Sequence, residues 1–324
     1  MELAAPVRAL LERYQSMAGG GLNLDDPDVL AMIRTIAIQK DLDLSDGPVD
    51  GVEISDVVID EVPVRLYRPP AGGGLPLHVY FHGGGFILGS ALTGELDGLL
   101  SRRALDAGCL VASVEYRLAP EHRFPAGVND CYAAFTGLLA DAERYGIARE
   151  VVTVGGGSAG GNLAAVVALM ARDVSGPRIA LQLIEIAGLD LTDSSRAWRN
   201  PGLGHDSTRE ADVAWNDRHI SSPAERVHPY VSPFFAPNLE GVAPAFVINA
   251  EFDPRRDECE AYVARLRDAG VHAVSRTMAG HIHGSSVLPD WQPARDWRAE
   301  ANAVLASAHQ AALAGRPVEL PAAA

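Results

Sequence analysis

Gly156-Gly157-Ser158-Ala159-Gly160 lies directly between an apolar run, Val151 to Val154, and a helical run, Asn162 to Ala171. A G-x-S-x-G pentapeptide joining a strand to a helix is the pattern of a nucleophile elbow, in which small flanking residues let the chain turn sharply and lift the serine hydroxyl above the sheet. A plain glycine turn or a phosphate loop uses similar residues. No Lys follows as a phosphate loop requires, and no acidic residue closes a following strand at the distance a dinucleotide ribose needs. The context commits the surrounding chain to an α/β body.

The rest of the sequence agrees with that commitment. Strand-like runs occur at Val57-Val58-Ile59, Val62 to Tyr67, Leu77 to Phe81, Leu110 to Val114, Val151 to Val154, Ile179 to Ile184, Ala245 to Asn249 and Ala273 to Thr277. Most are uninterrupted apolar segments, as parallel strands buried on both faces require. Helical stretches near 95–107, 126–145, 161–172 and 257–269 alternate with them, which predicts repeated βαβ units in a doubly wound sheet. Two short amphipathic helices precede this body, the first with Leu3, Val7, Leu10, Leu11 and Tyr14 on one face, the second running from Val29 through Ile38 after Asp25-Asp26-Pro27. Residues 191–235 break the rhythm with Pro, Trp, His and charge, and such an insertion is expected to cover the ligand site. The Ala-rich C-terminus reads as a biased tail.

Composition narrows the function classes. A chain of 324 residues supports one large core with additions, and its formal net charge of -15 opposes binding to a phosphate backbone, so no nucleic-acid partner is expected. The N-terminus lacks a basic segment followed by an apolar run, and no stretch approaches the roughly 18 apolar residues of a membrane span, so a cytoplasmic protein without membrane contact is expected. Cys109, Cys131 and Cys259 are far apart and lack C-x-x-C spacing, which suits three buried thiols. The last strand of an open sheet leaves an edge, from which a homodimer is an expectation.

A serine hydroxyl needs a base, and the base needs an orienting acid; in this arrangement both follow the serine on loops at the carboxyl ends of later strands. Asp253 follows the run Ala245 to Asn249, and His283 lies in Gly280-His281-Ile282-His283-Gly284 after the run ending at Thr277. His281 competes for the base position, and an H-x-H pair also suits a metal, although no nearby carboxylate or third His completes such a site. His82-Gly83-Gly84-Gly85-Phe86 follows the strand Leu77 to Phe81, where consecutive glycines free backbone N–H groups to face a developing oxyanion together with Ala159 N–H. Phe86, Trp198 and Trp215 are candidate pocket walls, with ordinary packing as the alternative.

Together these motifs identify a family. His82-Gly83-Gly84-Gly85, Tyr116-Arg117-Leu118-Ala119-Pro120-Glu121-His122 with Phe124-Pro125-Ala126, the elbow with Gly161-Asn162-Leu163, Asp253-Pro254 with Arg256-Asp257-Glu258, and His283-Gly284 resemble the bacterial hormone-sensitive-lipase-like esterases over residues 78–285. The segments around Glu115-Tyr116, Asn129-Asp130 and Ile184-Glu185 are similar to heroin esterase and related short-acyl esterases. The resemblance implies an α/β-hydrolase fold with a mostly parallel sheet and a helical cap. The cap would comprise residues 1–45 and an insertion at about 191–235, leaving 46–324 as the catalytic domain. It also implies Ser158 as nucleophile, Asp253 as acid, His283 as base, and the amides of Gly83, Gly84 and Ala159 as the oxyanion hole, with no cofactor and no metal. Here His283 is preferred to His281.

Three departures from the family pattern carry expectations of their own. Gly157 stands where members carry Asp, Glu, Gln or Thr, which removes contacts that steady the elbow. Arg255 replaces an apolar residue and is expected to alter a surface contact. Ser285 replaces an aromatic and is expected to enlarge or polarise the pocket wall. The expected reaction is hydrolysis of a small short-acyl ester; the rivals are release, lactone opening or cyclisation of one specialised metabolite, and binding of a small molecule without catalysis.

Overall fold

The computed structural model describes residues 3–18, 23–70, 73–192, 194 and 209–322. Eight strands form one sheet in the order β1-β2-β4-β3-β5-β6-β7-β8. They are β1 (Glu53–Ile59), β2 (Val62–Arg68), β3 (Leu75–Phe81), β4 (Leu110–Val114), β5 (Ile147–Gly157), β6 (Leu181–Glu185), β7 (Ala245–Ala250) and β8 (Ala273–Met278). β1 and β2 run antiparallel, as do β2 and β4, and every other neighbouring pair is parallel. Every residue of β3, β4, β6 and β7 is buried. That two-sided burial is why these strands read as continuous apolar runs and not as alternating ones.

Helices cover both faces. They are α1 (Ala5–Ala18), α2 (Pro27–Leu42), α3 (Asp97–Ala107), α4 (Ala126–Ala140), α5 (Ala159–Asp173), α6 (Arg209–His219), α7 (Arg256–Asp268) and α8 (Gln292–Leu313). α4 and α5 pack with β3, β5 and α7 in the larger core cluster, whereas α3 and α8 close the opposite face around Tyr80, Leu183, Phe246 and Trp297. No described helix is long and apolar enough to cross a membrane. All three cysteines are free and buried.

Several element boundaries differ from the sequence expectation. The helix expected over 126–145 ends at Ala140, and the first strand begins at Glu53 instead of Val57. The Ala-rich C-terminus is the long helix α8, which buries Trp297, Ala301, Val304, Leu305 and Ala308. Alanine supplies both helix propensity and a close-packing face there, so the stretch lacks the bulky periodic pattern that marks other helices. β8 stands at the sheet edge, and the segment after α8 folds back beside it: His272 Nδ1 faces the Val318 carbonyl at 3.1 Å.

A buried ion pair joins the two layers behind the elbow. The fully buried Arg103 on α3 donates to Glu185 Oε1 at 2.8 Å and to Asn302 Oδ1 at 3.1 Å, and Trp297 Nε1 donates to Glu185 Oε2 at 2.7 Å. Removing one partner of such a pair strands a charge in the interior. Arg103→Met is therefore expected to cost about 3–5 kcal/mol in urea unfolding. A loss under about 1 kcal/mol would refute that account.

Candidate active site

The loops after β3, β5, β7 and β8 leave the same edge of the sheet, where the carboxyl ends of parallel strands gather ligand-binding groups. Ser158 ends the β5 turn at φ 56 and ψ -120 and heads α5. A serine with positive φ stores backbone strain of about 1–3 kcal/mol. Close packing holds it there: Ser158 N–H donates to the Glu185 carbonyl at 2.8 Å. A Cβ added at Gly156 would approach the Gly160 backbone to 2.4 Å, and one at Gly160 would approach Phe81 O to 1.8 Å, so both positions demand glycine.

Asp253, His283 and Ser158 lie in one hydrogen-bonded line. His283 Nε2 is 2.9 Å from Ser158 Oγ, and its Nδ1 is 2.6 Å from Asp253 Oδ2. Asp253 is 1% exposed. Burial by itself would raise its pKa, but the His283 ring, their hydrogen bond and the Arg255 guanidinium together outweigh burial and hold it below the usual carboxylate value. His281, the competing histidine, is buried elsewhere, with Nδ1 2.8 Å from Ser285 Oγ and a pKa lowered to about 4 by burial. The two histidines therefore separate by environment, and only His283 meets Ser158.

The glycine loop after β3 closes over the serine. A Cβ at Gly83 would lie 3.0 Å from Gly157 O and 3.5 Å from Ser158 Cβ, and Gly84 adopts φ 110, where an added Cβ would come within 2.2 Å of the Leu88 carbonyl oxygen. Among the described residues no protein group accepts from the Gly83, Gly84 or Ala159 N–H. His82 braces this loop from below: its ring stacks on Tyr116 at 4.2 Å, and Tyr116 Oη donates to the His82 carbonyl at 2.8 Å.

Phe86 and Trp215 both line the cavity above Ser158, which has a volume of about 1340 Å³. Phe86 stacks on His219 of α6 at 3.9 Å, and Trp215 Nε1 donates to the Gly85 carbonyl at 3.1 Å. His219 is lowered to about 3 by burial and so is neutral. Trp198, the third aromatic candidate, lies outside the described residues.

Two sequence expectations are corrected at the site. Arg255 is not a surface residue: its side chain is 14% exposed, lines the cavity, ion-pairs with Asp212 of α6 and sits 3.4 Å from Asp253 Oδ1. The guanidinium is drawn inward because carboxylates flank it on both sides. Ser285 is fully buried beneath the site and bonds back to Ile282 and His281, so it forms no part of the pocket wall. A small hydroxyl fits there because it closes the turn after His283. Asp212 was not legible in the sequence, since it lies in the irregular segment with no motif around it.

The N-terminal helices are tied to the same loops. Val7, Leu10 and Leu11 of α1 cluster with Ile282, the neighbour of His283. Arg34 of α2 donates to Glu121 at 2.7 Å and to the Ile87 carbonyl at 2.9 Å.

A serine, a histidine and a buried carboxylate at one edge of an eight-stranded, mostly parallel sheet define the class of α/β-fold hydrolases. Residues 78–286 match the family described as alpha/beta hydrolase fold, and the chain belongs to the hormone-sensitive-lipase-like ester hydrolases of that fold. It is 39% identical over 275 residues to the carboxylic ester hydrolase LipN of Mycobacterium tuberculosis, covering 82% of this chain and 72% of that protein. It is 33% identical over 231 residues to the ethyl acetate hydrolase of Pseudomonas putida, covering 68% and 70%. Among solved structures, an esterase of Pyrobaculum calidifontis superposes with a TM-score of 0.84 at 34% identity, covering 94% of this chain and 99% of that one.

Proposed function

We propose that the protein is a serine carboxylesterase that cleaves short-acyl esters through an acyl-enzyme. The observation that carries this reading is the unbroken line from Ser158 Oγ through His283 to Asp253, beside the glycine loop after β3 and the Ala159 amide at the head of α5. Ser158 Oγ attacks the ester carbonyl while His283 Nε2 takes its proton, and the same imidazolium then protonates the departing alcohol. The tetrahedral oxyanion rests on the Gly83, Gly84 and Ala159 N–H groups, each worth about 100- to 1000-fold in rate. Asp253 fixes the imidazole tautomer and stabilises its charged form without accepting the proton. Water repeats the sequence on the acyl-enzyme.

In this reading α1 and α2, with the segment around α6, form a cap over the site, and the body from residue 46 onward carries the chemistry. The stacking of His219 on Phe86 and the Asp212–Arg255 ion pair support a cap seated directly on the reacting groups. Similarity to an ethyl acetate hydrolase supports the acyl preference. The test is an acyl series of p-nitrophenyl esters: kcat/KM is expected to fall at least about tenfold from butyryl to palmitoyl. Comparable values on acetyl, butyryl and palmitoyl esters would overturn the short-acyl assignment.

The cavity volume favours a second reading. About 1340 Å³ exceeds the roughly 300–1,000 Å³ of ordinary small-molecule sites and leaves room for a larger, dedicated metabolite. Labelling of Ser158 by an active-site phosphonate together with inertness towards simple esters would favour that reading.

A further inference from the structure

Glycine at position 157 has no local explanation. Its neighbours do: an added Cβ would come within 2.7 Å of His78 at Gly155, 2.4 Å of backbone at Gly156, 1.8 Å of Phe81 O at Gly160 and 2.8 Å of Ala187 at Gly161. Gly157 is not among the positive-φ residues, and among the described residues a Cβ there meets only Tyr80 Oη, at 3.6 Å. That is an ordinary van der Waals contact, so neither sterics nor backbone conformation requires glycine. What the missing side chain leaves is open space, and Gly157 lines the site cavity.

Beyond Gly157 the same cavity continues between α3 and α8, with Tyr80, Glu185, Leu99, Ala299, Asn302 and Arg298 on its walls. Most polar groups there are engaged. Glu185 is held by Arg103 and Trp297, and Asn302 is shared between Arg103 and Asp106. Arg298 differs: its Nη1 donates to the Ser286 and Leu288 carbonyls, and among the described residues no carboxylate is in direct ion-pair contact with its guanidinium, while Asp46, which lines the same cavity, and Glu185 act on it through space. Leu99 and Ala299 supply apolar wall beside it. A guanidinium that faces a cavity with no carboxylate in direct contact keeps donors for planar anionic acceptors.

We propose that this rear lobe, opened by the absent side chain at Gly157, is a substrate subsite for an ester substituent with an apolar stem and an anionic end, which Arg298 recognises. The proposal rests on the esterase reading above and adds the substrate class. The substituent is either the acyl group or the alcohol, and one experiment separates them. Wild-type kcat/KM is measured on p-nitrophenyl acetate, p-nitrophenyl hexanoate and mono-p-nitrophenyl adipate, and on hexyl acetate against 6-acetoxyhexanoate.

In one of the two series the anion-ended ester is expected to exceed its neutral counterpart by about 10- to 100-fold, the range of a charged hydrogen bond. The series that shows it names the occupant. Arg298→Gln is expected to erase that ratio and Arg298→Lys to restore part of it. Gly157→Leu is expected to lower kcat/KM for the six-carbon substrates at least about tenfold relative to acetate, since one buried side chain fills the lobe. If that variant fails to fold, the Arg298 pair decides alone.

Equal rates on anionic and neutral esters in both series overturn the subsite, as does a Gly157→Leu loss that is the same for acetate and six-carbon esters. In either case hydrolysis of acetate leaves the esterase reading standing. Failure to hydrolyse any of the five esters overturns both.

Discussion

Ser158→Ala is expected to lower kcat on p-nitrophenyl acetate by about a million-fold, because a triad acts as a unit and loses nearly all of its contribution when the nucleophile goes. Folding should survive the change. Alanine keeps the Cβ of Ser158, and it pays no more than serine for the positive φ. The Ser158 N–H bond to the Glu185 carbonyl uses backbone alone and is retained. A residual rate about 10³–10⁴ above water is expected from the oxyanion amides and binding. The measurement is steady-state hydrolysis by wild type and variant, with thermal melts compared to show that both are folded. A loss below tenfold in a folded variant would remove Ser158 from the nucleophile's role.

The size of that effect depends on how tightly the elbow is built, and much of it was legible beforehand. Gly156 and Gly160 are readable as glycines because strand-to-helix turns leave no room, and the would-be contacts of 2.4 and 1.8 Å express the same sterics. The apolar runs gave strand positions well because parallel strands buried on both faces have no polar register to disguise them. Asp253 and His283 could be placed on their loops because both loops follow such runs. The α8 helix was not legible, since its buried face relies on alanines that carry little hydrophobic signal. Arg255 was visible but misplaced. Its position depends on Asp212, 43 residues earlier in the chain, and no local pattern announces a long-range ion pair.

Arg255 lies against Asp253 on one side and Asp212 of α6 on the other, so the Asp253 loop and α6 share one guanidinium. Ile282 beside His283 is likewise packed under α1. Both Asp253 and His283 are therefore positioned partly by segments outside the sheet.

Asp253→Asn tests the acid without removing its shape and is expected to lower kcat by about 10⁴-fold with little change in KM. The carboxylate now accepts from His283 Nδ1 at 2.6 Å and from Arg255 N at 2.9 Å. An amide can keep the second bond, but to meet the ring it must turn its NH₂ towards Nδ1. The imidazole then carries its proton on Nε2, facing Ser158 Oγ, and has no lone pair to take the serine proton. Stability provides an independent reading. The Asp253 pKa is lower folded than unfolded, so its charge stabilises the fold above the ordinary aspartate value of about 3.9, and that contribution is lost as pH falls through the folded value. The wild type should therefore melt above the Asn variant near neutral pH, with the gap closing below about pH 4. A kcat loss under tenfold with the melting gap intact would show that Asp253 holds the loop in place but does not orient His283.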